Sequence, residues 1–156
     1  MSGGWGSWSI IDERLDPSVL LQQGDSCGQC AVRSLLMDVA VRVSLQDLCL
    51  NLGNHGQTTA AELATLLQSL HPDLTWAARQ VLNFGPDRHF ALFHPYPWIA
   101  MMKQYGRTHH WLVVHGLGDS DRLDVRDSAT GTRYSIEWRF FEPDWNRILV
   151  SRHEHT

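Results

Sequence analysis

The sequence predicts an α+β domain, helical in its first half and an antiparallel sheet in its second. Apolar residues recur at helical spacing as far as Leu70, whereas short extended runs take over from Leu74. Clusters of Gly, Pro, Ser and Asp then separate those runs. A chain of 156 residues supports one core of ordinary size.

The elements follow in order. Residues 1–19 read as an irregular segment, Gly- and Trp-rich at first, with Trp5 and Trp8 available to pack on the core. A single domain is expected over residues 20–152. Ser26 stands at an N-cap position before a helix over 27–41, where Ala31, Leu35 and Val39 line up with Val32 and Leu36. Ser44-Leu45-Gln46-Asp47 resembles a capping box opening a short helix to Leu52. Gly53 and Gly56 bracket a turn. Thr59-Ala60-Ala61-Glu62 is a full capping box, and its helix ends at His71-Pro72. Strands are expected over 74–82, 90–93, 98–103, 110–115, 122–125 and 147–151.

Composition narrows the function. Thirteen basic and 17 acidic residues give a net charge of −4, which argues against a general nucleic-acid binder. No apolar run approaches the roughly 20 residues of a membrane span. The start shows neither a basic nor an apolar signal region, so no secretory signal is expected. Three cysteines, Cys27, Cys30 and Cys49, cannot all pair, which favours a reducing, cytoplasmic setting. Delivery to another cell by a route without a signal peptide is the second expectation.

Cys27 carries the chemistry. It opens the expected helix, where unpaired N–H groups and the positive end of the dipole favour a thiolate. Gly28 beside it would let a substrate carbonyl approach the backbone. A nucleophilic Cys needs a base, and His110, which opens the strand His110-Trp111-Leu112-Val113-Val114, is the best placed of nine histidines. A one-residue change of strand phase would put His109 there instead. If 110–115 and 122–127 form a hairpin, Asp127 lies beside His110 and orients it. The amide of Gln22 or Gln23, with the Cys27 N–H, would bind the oxyanion. This chemistry requires no metal and no cofactor.

Ordinary explanations stand beside these. Cys49 reads as a small buried hydrophobe. Asp127 before Ser-Ala-Thr-Gly is a good turn starter for local reasons. His89, His94, His153 and His155 lack a third ligand at metal-site spacing and read as surface or loop residues.

The order of these pieces resembles the papain-like cysteine peptidases, and among them the C39 and C39-like family that processes bacteriocin leaders. The resemblance rests on Gln22 to Cys27-Gly28 and the helix that follows, and on Ser44-Leu45-Gln46-Asp47-Leu48. It continues through Gly56-Gln57-Thr58-Thr59, His110-Trp111-Leu112-Val113-Val114, Asp127-Ser128-Ala129-Thr130-Gly131 and Phe141 to Trp145, covering about 20–152. It implies a papain-like fold, with the Cys at a helix N-terminus packed on the sheet. It also implies a Cys27, His110, Asp127 triad with Gln22 at the oxyanion. Ser26 stands where the family has Asp, and Ser128 where it has Pro. The Gln is usually six residues before the Cys; Gln22 is five before it, a spacing similar to the Josephin deubiquitinases.

A rival alignment keeps the chemistry and moves the nucleophile. Cys27-Gly28-Gln29-Cys30 resembles the papain pattern, in which the second Cys attacks, and the transglutaminase Gly-Gln-Cys; both want Trp where Ala31 stands. Three functions therefore remain open. A peptidase would take a peptide or protein substrate, with a transporter as a further partner. A deamidase, transglutaminase or deubiquitinase-like effector or toxin module would meet a host target or an immunity partner. A degenerate C39-like module would bind peptide without cutting it. Trp111, Trp98 and Tyr96 are the candidates to line a cleft.

Overall fold

The computed structural model describes residues 8–23, 26–52, 58–82, 85–103 and 110–153. In chain order it shows β1 (Ile10–Leu15), α1 (Cys27–Asp38), α2 (Leu45–Leu52), α3 (Ala60–Leu70), β2 (Thr75–Gln80) and α4 (Pro86–Phe93). Then come β3 (Trp98–Met102), β4 (His110–Gly116), β5 (Arg122–Asp127), β6 (Thr132–Glu137), α5 (Trp138–Phe141) and β7 (Trp145–His153). The strands form one seven-stranded antiparallel sheet in the order β1-β6-β5-β4-β3-β7-β2. This is the α+β, papain-like arrangement the sequence predicts, with helices α1 to α3 ahead of most of the sheet.

Period-2 alternation along the strands sorts the core into two faces. Ile99, Met101, Trp111, Val113 and Val150 pack under α1, α2 and α3. Trp98, Ala100, Leu112, Val114, Val125, Tyr134 and Leu149 pack on the other face with Ala91 and Leu92 of α4, Phe141 of α5 and Trp8. Trp8 is also held by its indole N–H, which donates to Asp144 at 2.6 Å. The expected capping box is present: Thr59 and Glu62 each accept the other's backbone N–H. Trp5 and the turn between Gly53 and Gly56 lie outside the described residues.

Four segments depart from expectation. Residues 90–93 are the end of helix α4, not a strand. Pro86 in the first turn presets a helical φ and Asp87 suits the helix N-terminus, and these signals outweigh the aromatic run. Residues 10–15 within the irregular N-terminal stretch form the edge strand β1, paired with β6. Its first two residues are apolar, and the charged Asp12, Glu13 and Arg14 that follow suit a solvent-facing edge. Strand β6 was not foreseen, although Tyr134 and Ile136 alternate inward between polar neighbours. Helix α1 ends at Asp38 rather than Val41, and the next turn puts Ala40 at φ 62°.

Strand β4 ends against α4 at Gly116, where a Cβ would run into the backbone of Ala91 and Leu92. At its other end β4 begins with His110, beside the start of α1.

Candidate active site

Cys27 is the first residue of α1. The first N–H groups of a helix have no acceptor within it. Ser26 precedes the helix but does not cap it with its side chain. Its hydroxyl accepts the N–H of Gln23 instead, at 2.9 Å. Cys27 is 4% exposed and joins the core cluster that holds Trp111 and Leu63. Gly28 turns out to be required by packing. A Cβ there would meet Thr58 Oγ1 at 2.8 Å, Leu63 Cδ2 at 3.2 Å and Trp111 Cδ1 at 3.3 Å. Its open side therefore faces protein, not an approaching carbonyl.

His110 stands between two partners. Its Nε2 lies 3.0 Å from Asp127 Oδ1. Its ring also hydrogen-bonds the Cys27 side chain, which leaves Nδ1 as the nitrogen toward sulfur. Burial opposes charge on this ring, but the bonds and negative charges of Asp127 and Cys27 outweigh it and hold the imidazole proton up to about 9. The hairpin of β4 and β5 makes this possible. Val113 pairs with Arg126 and Val114 with Val125, so Asp127 reaches the start of β4 on the face His110 occupies.

Asp127 is fully buried and fully engaged. Besides His110, Oδ1 accepts the Ala129 N–H at 3.0 Å. Oδ2 accepts the Tyr134 hydroxyl at 2.8 Å. Tyr134 was not foreseen as a site residue. It lies seven residues beyond Asp127, and the β5–β6 register, which pairs Val125 with Tyr134, brings it back. The alternation of 132–137 was the available signal. Burial and the neighbouring Asp127 charge push the Tyr134 phenol far up, so it stays a donor.

The two glutamines separate. Gln22 is half-buried and tied to the turn after β5: its N–H donates to the Ser128 carbonyl at 2.8 Å, and Ser128 Oγ donates to its Oε1 at 2.9 Å. Gln23 is exposed. The cysteines separate as well, and none is in a disulfide. Cys30 points inward, 3.9 Å from Ser26 Oγ, against a void of about 10 Å³ that admits at most one water. Burial pushes its thiol up to about 11. Cys49 is half-buried, its thiol raised by burial. Trp98 and Trp111 are 0% and 1% exposed, so they belong to the cores rather than to a cleft wall. Tyr96 is half-buried under the Arg152 guanidinium, 3.4 Å from its ring centroid. His109 and His155 lie outside the described residues.

Comparison with known proteins bears on this geometry. A double glycine motif protease from an AMS/PCAT transporter, solved with its leader peptide, superposes with a TM-score of 0.69 at 11% identity, covering 94% of each chain. The peptidase domain of Streptococcus ComA superposes with a TM-score of 0.60 at 17% identity, covering 95% of this chain and 99% of that one. This chain has the fold of the C39 peptidases. The resemblance read from its motifs therefore stands. The C39-like chain is also 28% identical over 150 residues to Cysteine protease effector 1 of Escherichia coli O1:K1:H7. That match takes in 92% of this chain and 28% of the relative, so the chain spans just over a quarter of its length. No family model matches. Among the described residues, no helix is long and apolar enough to cross a membrane.

Proposed function

We propose that this C39-like domain is a cysteine peptidase acting by acyl transfer. The observation that carries the reading is His110 held between Cys27 and Asp127 at the N-terminus of α1. Cys27 is the nucleophile, His110 the acid and base, Asp127 the orienter and Gln22 the side-chain donor to the oxyanion. Cys30 is set aside by its raised thiol and by its neighbours, Ser26 and Ser128. Gln23 is set aside by its exposure.

The steps follow from the geometry. The Cys27 thiolate adds to the peptide carbonyl carbon. The carbonyl oxygen takes the negative charge and receives hydrogen bonds from Gln22 and the Cys27 N–H. His110 passes its proton to the leaving amine as the C–N bond breaks. Water then attacks the thioester and gives a proton to His110, and the C–S bond breaks to release the acid and restore the Cys27 thiolate beside protonated His110. Asp127 keeps one ring nitrogen engaged so that the other faces sulfur throughout. Burial of the pair excludes water and strengthens the electrostatics.

The substrate class is a peptide or protein segment. The neighbour solved with a leader peptide, a double glycine motif protease, supports a peptide substrate. The curated relative's description as an effector supports a protein target met as part of a longer polypeptide.

Alkylation with iodoacetamide across a pH series, mapped by mass spectrometry, tests the reading. Cys27 should label fastest of the three cysteines, and His110→Ala should slow it at least tenfold. Equal, slow labelling at all three would end the peptidase reading. Ammonia release from a glutamine peptide without chain cleavage would convert it to a deamidase.

A further inference from the structure

We propose that Ser128 is a positioning residue for the oxyanion donor: its hydroxyl fixes which end of the Gln22 carboxamide faces Cys27. The inference rests on the peptidase reading and deepens it. A carboxamide has two ends of nearly equal shape, and its hydrogen bonds alone decide which way it points. Only the nitrogen end stabilises an oxyanion; the oxygen end would repel it.

Ser128 supplies the decision. It is 5% exposed, and its Oγ donates to Gln22 Oε1 at 2.9 Å. The Cys30 side chain lies against the same hydroxyl. The serine's proton goes to the amide oxygen of Gln22. With the oxygen held, the nitrogen is the end presented away from the turn.

Simple stapling of the N-terminal segment does not account for this bond. The Gln22 N–H already donates to the Ser128 carbonyl at 2.8 Å, and that backbone bond needs no hydroxyl. The adjacent residue adds a second reason. Asp127 orients His110, and Ser128 orients Gln22, so one turn places the base and the oxyanion donor relative to each other. It also accounts for a polar residue at a position where the C39 pattern has Pro.

The test compares two reagents at Cys27. Acylation by p-nitrophenyl acetate passes through an oxyanion: thiolate adds to the ester carbon and p-nitrophenolate leaves. Alkylation by iodoacetamide displaces iodide and forms no oxyanion. Both rates would be mapped to Cys27 in the wild type, Ser128→Ala, Ser128→Thr, Gln22→Ala and the double variant Ser128→Ala with Gln22→Ala. Acylation should fall about 100-fold in Gln22→Ala, in the range for losing one oxyanion donor, and about tenfold in Ser128→Ala. Ser128→Thr should restore most of it. The double variant should be no slower than Gln22→Ala, because the serine acts only through the glutamine. Alkylation should be unchanged in all.

Additive losses, equal slowing of both reagents, or no change in Ser128→Ala would overturn the proposal while leaving the Cys–His reading intact. A wild-type Cys27 that alkylates no faster than Cys49 would overturn the peptidase reading, and the proposal with it.

Discussion

Asp127→Asn separates the charge of Asp127 from its shape. The carboxylate is fully buried and receives three hydrogen bonds, from His110, Ala129 and Tyr134. Asparagine has the same outline. Its oxygen at the Oδ1 position keeps the His110 and Ala129 bonds. Its NH₂ at the Oδ2 position faces Tyr134, whose hydroxyl rotates from donor to acceptor. Packing should therefore survive while the negative charge is lost. His110 holds its proton to about 9 against an ordinary 6.5, a difference worth about 3 kcal/mol. Burial works against that charge, and Asp127 supplies the leading favourable contribution. Without it, His110 should titrate well below its wild-type value. At pH 8 the wild-type ring would be roughly nine-tenths protonated and the variant ring much less so. NMR titration of the His110 ring in both proteins is the direct assay. A variant that still titrates near 9, or a wild type that titrates near 6.5, would refute the account of how the proton is held. Stability carries the same signature. Because the folded value is raised, the stabilisation is complete below about 6.5 and is lost as pH rises through about 9. The wild type should weaken across that window, and the variant should show much less of that slope.

Three further outcomes are expected. Tyr134→Phe removes a buried donor from Asp127 and should lower unfolding free energy by about 2 kcal/mol in denaturant titration. It should also move the His110 titration upward, opposite to Asp127→Asn, since the carboxylate is left with fewer donors. Cys30→Ala should leave Cys27 alkylation within about twofold of wild type, because Cys30 faces the interior with its thiol raised to about 11; a large drop would reinstate Cys30 as nucleophile. Gly116→Ala places a Cβ into the α4 backbone and should destabilise the fold by on the order of 3 kcal/mol, read as a lower Tm.

What the sequence by itself determined was local. The helix starts at Cys27 and Ala60 were legible because the apolar period, and at Ala60 the Thr59 capping box, act within a few residues. Strands β2, β3, β4, β5 and β7 were legible because alternation and turn residues are also short-range signals. His110 and Asp127 were found together because one hairpin relates them, and the order of motifs carried the fold resemblance. The tertiary structure decided the rest. Cys27 and Cys30 share the first turn of α1 and are both buried, so only the fold shows that His110 meets the Cys27 side chain while Ser26 and Ser128 surround Cys30. The tie between Gln22 and the Ser128 turn, 106 residues away in sequence, is visible only in the fold. Tyr134 joined the site through strand register, and β1 became a strand only because β6 offered it a partner. Gly28 also changed meaning, since the atoms filling its open side come from Thr58, Leu63 and Trp111. Local propensity acts over a turn or two of chain, whereas hydrogen-bond satisfaction and desolvation are settled among segments that meet only when the sheet and helices close together.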